Sequence, residues 1–185
     1  MKIFYYGPSH HKIRKNLSLG FKNLGIEFTK KIKECDIIYS PQTYIDSLKF
    51  PDKKIIIGPQ WGVLPRDIKK SINNIYDNTV YIQPSQWTKD LWEHLGFEDS
   101  PIKVCPVGIE TELFKPVLPR EKREKVMIYW KDRAENEIKF LEDFMMENSI
   151  PYKIIAKWYE EPDYIKLLQE SKCGIWLGSH ESQGI

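Results

Sequence analysis

The sequence predicts an α/β fold built on parallel sheets with helices on both faces. Short apolar runs rich in β-branched and aromatic residues recur along the 185 residues, and helical patterns lie between several of them. Runs that are apolar throughout, rather than alternating, are typical of strands buried on both faces, as in parallel sheets. Strands that alternate with helices form the βαβ units of such sheets.

The predicted strands are bounded by turn residues or by charges, which separate each apolar run from the next. In chain order they are 2–6, 36–39, 54–57, 79–82, 102–105, 125–130, 152–156 and 174–177.

Apolar residues at spacings of three and four predict helices between these strands. The apolar stripes are Ile13, Leu17, Phe21 and Leu24; Ile68, Ile72 and Ile75; Trp87, Leu91 and Leu95; Ile138, Leu141 and Met145; and Ile165 with Leu168. Ser85 is predicted as an N-cap and Gly96 as the residue after the same helix. Pro151 ends the following helix, and Pro162 is expected in the first turn of the last one.

A segment rich in proline and then in charge, 114–125, interrupts the alternation. Such a segment continues neither a helix nor a strand, so a domain boundary is predicted there. We expect a first domain at 1–116, a linker at 117–124 and a second domain at 125–185 that is only the first half of a doubly wound domain. The charge run itself is open to two interpretations, a solvated linker or a phosphate-binding patch.

Composition excludes several classes of protein. The 28 Lys and Arg residues against 26 Asp and Glu give a net charge of +2, too little for a nucleic-acid binder without a local basic patch. The cysteines are odd in number and lack C-x-x-C spacing, so neither a disulfide framework nor a zinc site is expected. No apolar run approaches the roughly 18 residues of a membrane span. We expect a cytoplasmic protein, whose basic helix near 13–24 leaves peripheral membrane contact open.

Three motifs follow predicted strands. Pro84 to Thr88 reads Pro-Ser-Gln-Trp-Thr, the segment from Pro106 to Pro116 contains Gly108 and closes on Phe-Lys-Pro, and Glu181 to Gly184 reads Glu-Ser-Gln-Gly. In this order, with the domain boundary between the second and the third, they resemble the retaining glycosyltransferases of the GT-B fold, glycosyltransferase family 4 and its relatives. The resemblance implies two Rossmann-like domains.

The resemblance also implies a reaction. The protein would transfer a hexose from a nucleotide-diphosphate sugar to a glycan or glycolipid acceptor with retention of configuration, in carbohydrate biosynthesis. The family pattern implies no metal and no cofactor beyond the donor, and the chain has no Asp-x-Asp motif. Two alternatives stay open: a non-catalytic, degenerate GT-B module that binds a glycan or a protein partner, and a nucleotide-sugar epimerase. An incomplete donor domain would leave the 185 residues inactive by themselves.

The resemblance places the donor site in the second domain. Lys131 and Arg133 would bind the phosphates, and Glu181 would act at the donor sugar as the catalytic glutamate. The backbone amides of the next residues would lie near the sugar and phosphates; these residues are Ser182, Gln183 and Gly184. From the residues alone, the two cations are also interpretable as surface charges, and the glutamate as a helix N-terminal acid.

The cleft and acceptor candidates lie in the first domain. They are Gly7, His10, His11, Gln60, Trp61, Ser85 and Gly108. The two histidines follow the first strand, where they would bind an anion or acceptor or remain ordinary surface residues. Gln60 stands where many relatives have a histidine, and an amide cannot act as a base. Trp61 would either stack on a sugar ring or fill the core.

Overall fold

A computed structural model describes residues 1–9, 11–59, 77–97, 101–106, 108–131, 133–156 and 159–178. Contacts within the chain divide it into two units, Met1–Gly108 and Ile109–Ile185. Each unit contains one sheet whose strands are all parallel. The predicted α/β class with parallel, Rossmann-like sheets is therefore confirmed.

The sheet of the first unit has the strand order β2-β1-β3-β4-β5-β6. Its strands are β1 (Lys2–Tyr5), β2 (Glu27–Thr29), β3 (Ile37–Ser40), β4 (Lys54–Ile57), β5 (Thr79–Gln83) and β6 (Ile102–Val104), and its described helices are α1 (His11–Asn23) and α2 (Gln86–Trp92). The order reverses between β1 and β3, which makes their carboxyl ends a topological switch point.

One face of this sheet carries the main core of the first unit. Isoleucines of β3 and β4 pack there with Trp92 at the end of α2, which is fully buried between Tyr81 and Phe97. Because β3 and β4 lie inside the sheet, their side chains are shielded by the neighbouring strands as well as by the residues packed around Trp92. The continuous apolar runs of the sequence reflect that position.

The sheet of the second unit has the order β8-β7-β9. Its elements are β7 (Lys125–Trp130), α3 (Glu135–Glu147), β8 (Tyr152–Ile155), α4 (Glu161–Glu170) and β9 (Ser171–Leu177). Alternate residues of β7 face opposite helices: Val126 and Ile128 pack with α3, whereas Met127 and Tyr129 pack with Tyr164 of α4. Helices thus cover both faces of the second sheet.

The segment 109–116 belongs with the second unit by its contacts, although the sequence suggested that it closes the first domain. Phe114 packs against the cluster formed by Met127, Tyr129 and Tyr164. The Gln169 side-chain amide donates to the carbonyl oxygens of Leu113 and Lys115 at 3.2 and 3.3 Å. The prolines thus follow the point at which the chain changes units.

Local details differ from expectation. β2 was not predicted, because its three residues form a strand only through pairing with β1. Trp87 and Leu95, expected on the buried stripe of α2, are 49% and 44% exposed, whereas Thr88 and Trp92 are buried. A π-helical turn, Glu93–Phe97, follows α2 and moves Leu95 out of the register of a regular helix. The helix predicted near 68–75 lies outside the described residues.

Candidate functional site

The carboxyl ends of β7 and β9 lie side by side in the second unit. The Lys131 backbone N–H donates to the carbonyl oxygen of Leu177 at 2.8 Å, so Lys131 stands beside the residue that ends β9. β8 and β9 lie on opposite sides of β7, so the order of strands reverses here. Open parallel sheets bind ligands at this kind of position. Glu181, Ser182, Gln183 and Gly184 follow β9 but lie outside the described residues.

The loop after β7 is short and internally bonded. The Trp130 indole N–H donates to the carbonyl oxygen of Arg133 at 3.0 Å. The Arg133 guanidinium makes two parallel bonds to Glu137, with Nε to Oε2 at 2.8 Å and Nη2 to Oε1 at 2.9 Å. These bonds raise the pKa of Arg133. The guanidinium N–H groups that would bind a phosphate in a bidentate manner are therefore already bonded to a carboxylate.

The charge around this loop is also less favourable for a diphosphate than the two cations suggest. Glu135 and Glu137 lie in the first turn of α3, whose N-cap, Ala134, has no capping side chain. Carboxylates at a helix N-terminus offset the positive end of the helix dipole. Asp132 adds a further negative charge in sequence and lies outside the described residues. Among the described residues of this loop and the first turn of α3, two carboxylates thus balance Lys131 and Arg133.

The switch point of the first unit has the opposite electrostatic character. α1 is 13 residues long and has no acidic residue in its first turn. His11 begins this helix and is exposed, and the Arg14 guanidinium lies 5.1 Å from the centre of the Tyr5 ring at the end of β1. Burial raises the pKa of Tyr5, while its bond to Ser9 and the charge of Arg14 act in the other direction. This helix N-terminus therefore favours an anion.

The loops that follow β1 and β3 pack against each other. Gly7 has φ of +75°, and a Cβ atom there would lie 2.7 Å from Thr43 Oγ1. The Ser40 hydroxyl donates to the Thr43 carbonyl oxygen at 2.6 Å and accepts from its N–H at 3.3 Å. The lack of a Cβ atom at Gly7 thus lets the loop after β3 pack closely against it, and this packing explains the glycine without a bound ligand. His10, the neighbour of His11, lies outside the described residues.

A buried phenol lies one residue before the end of β3. Tyr39 is 1% exposed, and its ring meets that of Tyr5 edge to face with centres 5.3 Å apart. Its hydroxyl has no hydrogen-bond partner within the described part of the chain. Burial is the main cause that raises the pKa of Tyr39, and the nearby Tyr5 and Cys105 add to it. Tyr39 was predicted only as part of a buried strand.

Ser85 caps a helix, and Gly108 lies in open space. Ser85 is the N-cap of α2, as predicted, and its backbone N–H donates to Thr88 Oγ1 at 3.3 Å. The two hydroxyl oxygens lie 2.9 Å apart. A Cβ atom at Gly108 would meet nothing within 4 Å. Gln60 and Trp61 lie outside the described residues.

Within the described ranges, no three His, Cys, Asp or Glu side chains are grouped to hold a metal ion. Among the helices of the same ranges, none combines the length and the apolar character needed to cross a bilayer. Comparison with protein-family models, with curated proteins and with solved structures gave no match.

Proposed function

We propose that the chain acts as a retaining glycosyltransferase of the GT-B type, which moves a sugar from a nucleotide-sugar donor to a glycan or glycolipid acceptor. The observation that carries the proposal is the bond from Lys131 N–H to the Leu177 carbonyl. It places a lysine at the switch point of a parallel sheet, beside the strand that leads to Glu181. A leaving nucleoside diphosphate needs positive charge close to its phosphates.

In this proposal each residue has one task. Lys131 neutralises charge on the departing diphosphate, and Arg133 exchanges its Glu137 partner for a phosphate oxygen when the donor binds. Glu181 orients the donor sugar. The acceptor is a glycan or a glycolipid. Any anionic group of this acceptor would bind at the N-terminus of α1, beside His11, because a helix N-terminus attracts negative charge.

The first test measures nucleotide binding by calorimetry. We expect UDP or GDP to bind with a micromolar dissociation constant, about −8 kcal/mol. Lys131→Ala should weaken binding roughly tenfold, about 1.4 kcal/mol. Lys139→Ala removes an exposed lysine from the middle of α3 and serves as the matched control. Failure of both nucleotides to bind, or an equal effect of the two substitutions, would contradict the proposal.

A second candidate function is favoured by the bidentate pair of Arg133 with Glu137. A site whose arginine is held by the helix that follows it, and whose cations are balanced by two carboxylates, suits a non-catalytic module that binds a neutral glycan or a protein. Glu137→Gln distinguishes the two. It should strengthen nucleotide binding several-fold if Arg133 serves phosphate, and leave glycan binding unchanged if the module is non-catalytic.

A further inference from the structure

A groove runs along β8 and beside α4 in the second unit. Its volume is about 860 Å³, and it is lined by five consecutive residues, Tyr152 to Ala156, together with one side of α4. In the described part of the chain β7 is the strand that pairs with β8, so β8 is an edge strand. Ile154 and Ile155 are only half-buried there. The groove therefore borders an edge that has room for another strand.

The backbone groups on this edge can be assigned. Val126 N–H donates to the Pro151 carbonyl at 2.8 Å, and Val126 is paired with Tyr152. Alternate residues of a parallel strand direct both backbone groups to the same neighbour. Lys153 and Ile155 therefore bond to β7. The N–H and C=O groups of Tyr152, Ile154 and Ala156 point to the open edge.

The two ends of the groove carry opposite charge. At the amino end of β8, Lys125 and Lys166 both approach Glu170, at 3.6 and 4.0 Å, which leaves a net positive charge. At the carboxyl end, the exposed side chains of Glu160 and Asp163 are both acidic. An antiparallel strand reverses these ends, so a second copy of the same groove would bring acid opposite base at both ends.

We propose that the groove receives β8 of a second copy of this chain. The two β8 strands pair antiparallel about a two-fold axis near Ile154, and the two three-stranded sheets become one continuous sheet of twice that width. The backbone groups of alternate β8 residues bind each other, and the acidic end of each groove faces the basic end of the other. A strand of an unrelated protein would satisfy the same backbone groups, whereas a second copy of this chain also supplies the reversed pattern of charge.

Sedimentation equilibrium over a range of concentrations tests the proposal. We expect a reversible dimer of the 22.0 kDa chain. Ile154→Pro removes an N–H that points away from β7, a substitution that an edge strand tolerates. It should weaken the dimer at least roughly tenfold. Ile154→Ala is the matched control, since it loses the side chain but keeps the N–H, and should still dimerise. A monomer at every concentration, or equal dimerisation of both variants, would overturn the proposal.

Charge reversal tests the pairing without altering the strand. Glu160→Lys with Asp163→Lys, and separately Lys166→Glu, should each weaken the dimer roughly tenfold by placing like charges at facing ends. All three together should restore it, because the reversed ends again match. Asp143→Lys with Glu147→Lys changes two exposed acids of α3 and should have little effect. Failure of the triple variant to recover would refute the antiparallel pairing.

Discussion

Substituting Gly7 by alanine tests how tightly the loops after β1 and β3 fit together. The left-handed φ of +75° at this residue costs a residue with a Cβ about 1–2 kcal/mol. The new Cβ would also lie 2.7 Å from Thr43 Oγ1, and overpacking of this kind adds roughly 1–3 kcal/mol. Gly7→Ala should therefore lower the free energy of unfolding by about 2–5 kcal/mol.

A double-mutant cycle separates the two contributions. Thr43→Ala removes Oγ1 and leaves the Thr43 Cβ, 3.3 Å from the new atom, as the nearest neighbour. In that background Gly7→Ala should cost only the conformational part, so we expect a coupling of about 1–3 kcal/mol. Urea unfolding followed by circular dichroism measures all four variants. Gly20→Ala, inside α1 with open space around it, should instead be stabilising by about 0.5–1 kcal/mol. A cost for Gly7→Ala below about 0.5 kcal/mol, or one that Thr43→Ala leaves unchanged, would refute the reasoning.

Three further substitutions, at Tyr39, Trp92 and Gln169, test packing and hydrogen bonding. Tyr39→Phe removes a buried hydroxyl without a described partner and should be neutral or stabilising by up to about 1 kcal/mol at pH 7. Burial raises the pKa of Tyr39 in the folded state above its ordinary value of 10.0, whereas the unfolded chain keeps the ordinary value. Above pH 10 the unfolded state therefore loses the proton first and is favoured. In alkaline urea titrations the free energy of unfolding of wild type should fall by about 1.4 kcal/mol per pH unit relative to Tyr39→Phe. Trp92→Ala should destabilise the first unit by about 3–5 kcal/mol in thermal or urea unfolding, and a loss below 1 kcal/mol would contradict its place in the core. Gln169→Ala should speed amide hydrogen exchange in 109–116 and leave α3 unchanged, whereas unaltered exchange would show that its two hydrogen bonds do not hold the segment.

The parallel sheets could be predicted from sequence because burial on both faces leaves a continuous apolar run, as in β4 and β7. β2 gives no such signal: it consists of Glu27, Phe28 and Thr29, and only pairing with its partner β1 makes it a strand. The buried face of α2 was wrong for a different reason. Its capping interaction buries Thr88, and the π-helical turn after Trp92 breaks the spacing that a regular helix would keep.

The candidate site was predictable where it depends on strand ends. Parallel strands bring their carboxyl ends to one edge, which is why Lys131 and the end of β9 meet. The pairing of Arg133 with Glu137 had a local signal, since the two opposite charges are four residues apart where α3 begins. The contact of Gly7 with Thr43 joins loops far apart in sequence, and no local pattern indicates it.

The attachment of 109–116 to α4 determines where this chain can be exchanged with another. A chimera that takes its second half from a different protein should cross over at Gly108. Phe114 and the carbonyls bound by Gln169 then come from the same parent as the helix that contacts them. A crossover at 116, the boundary that the prolines suggest, would pair α4 of one parent with an unmatched segment from the other. The boundary between the two units therefore lies before the prolines from which the sequence predicted it.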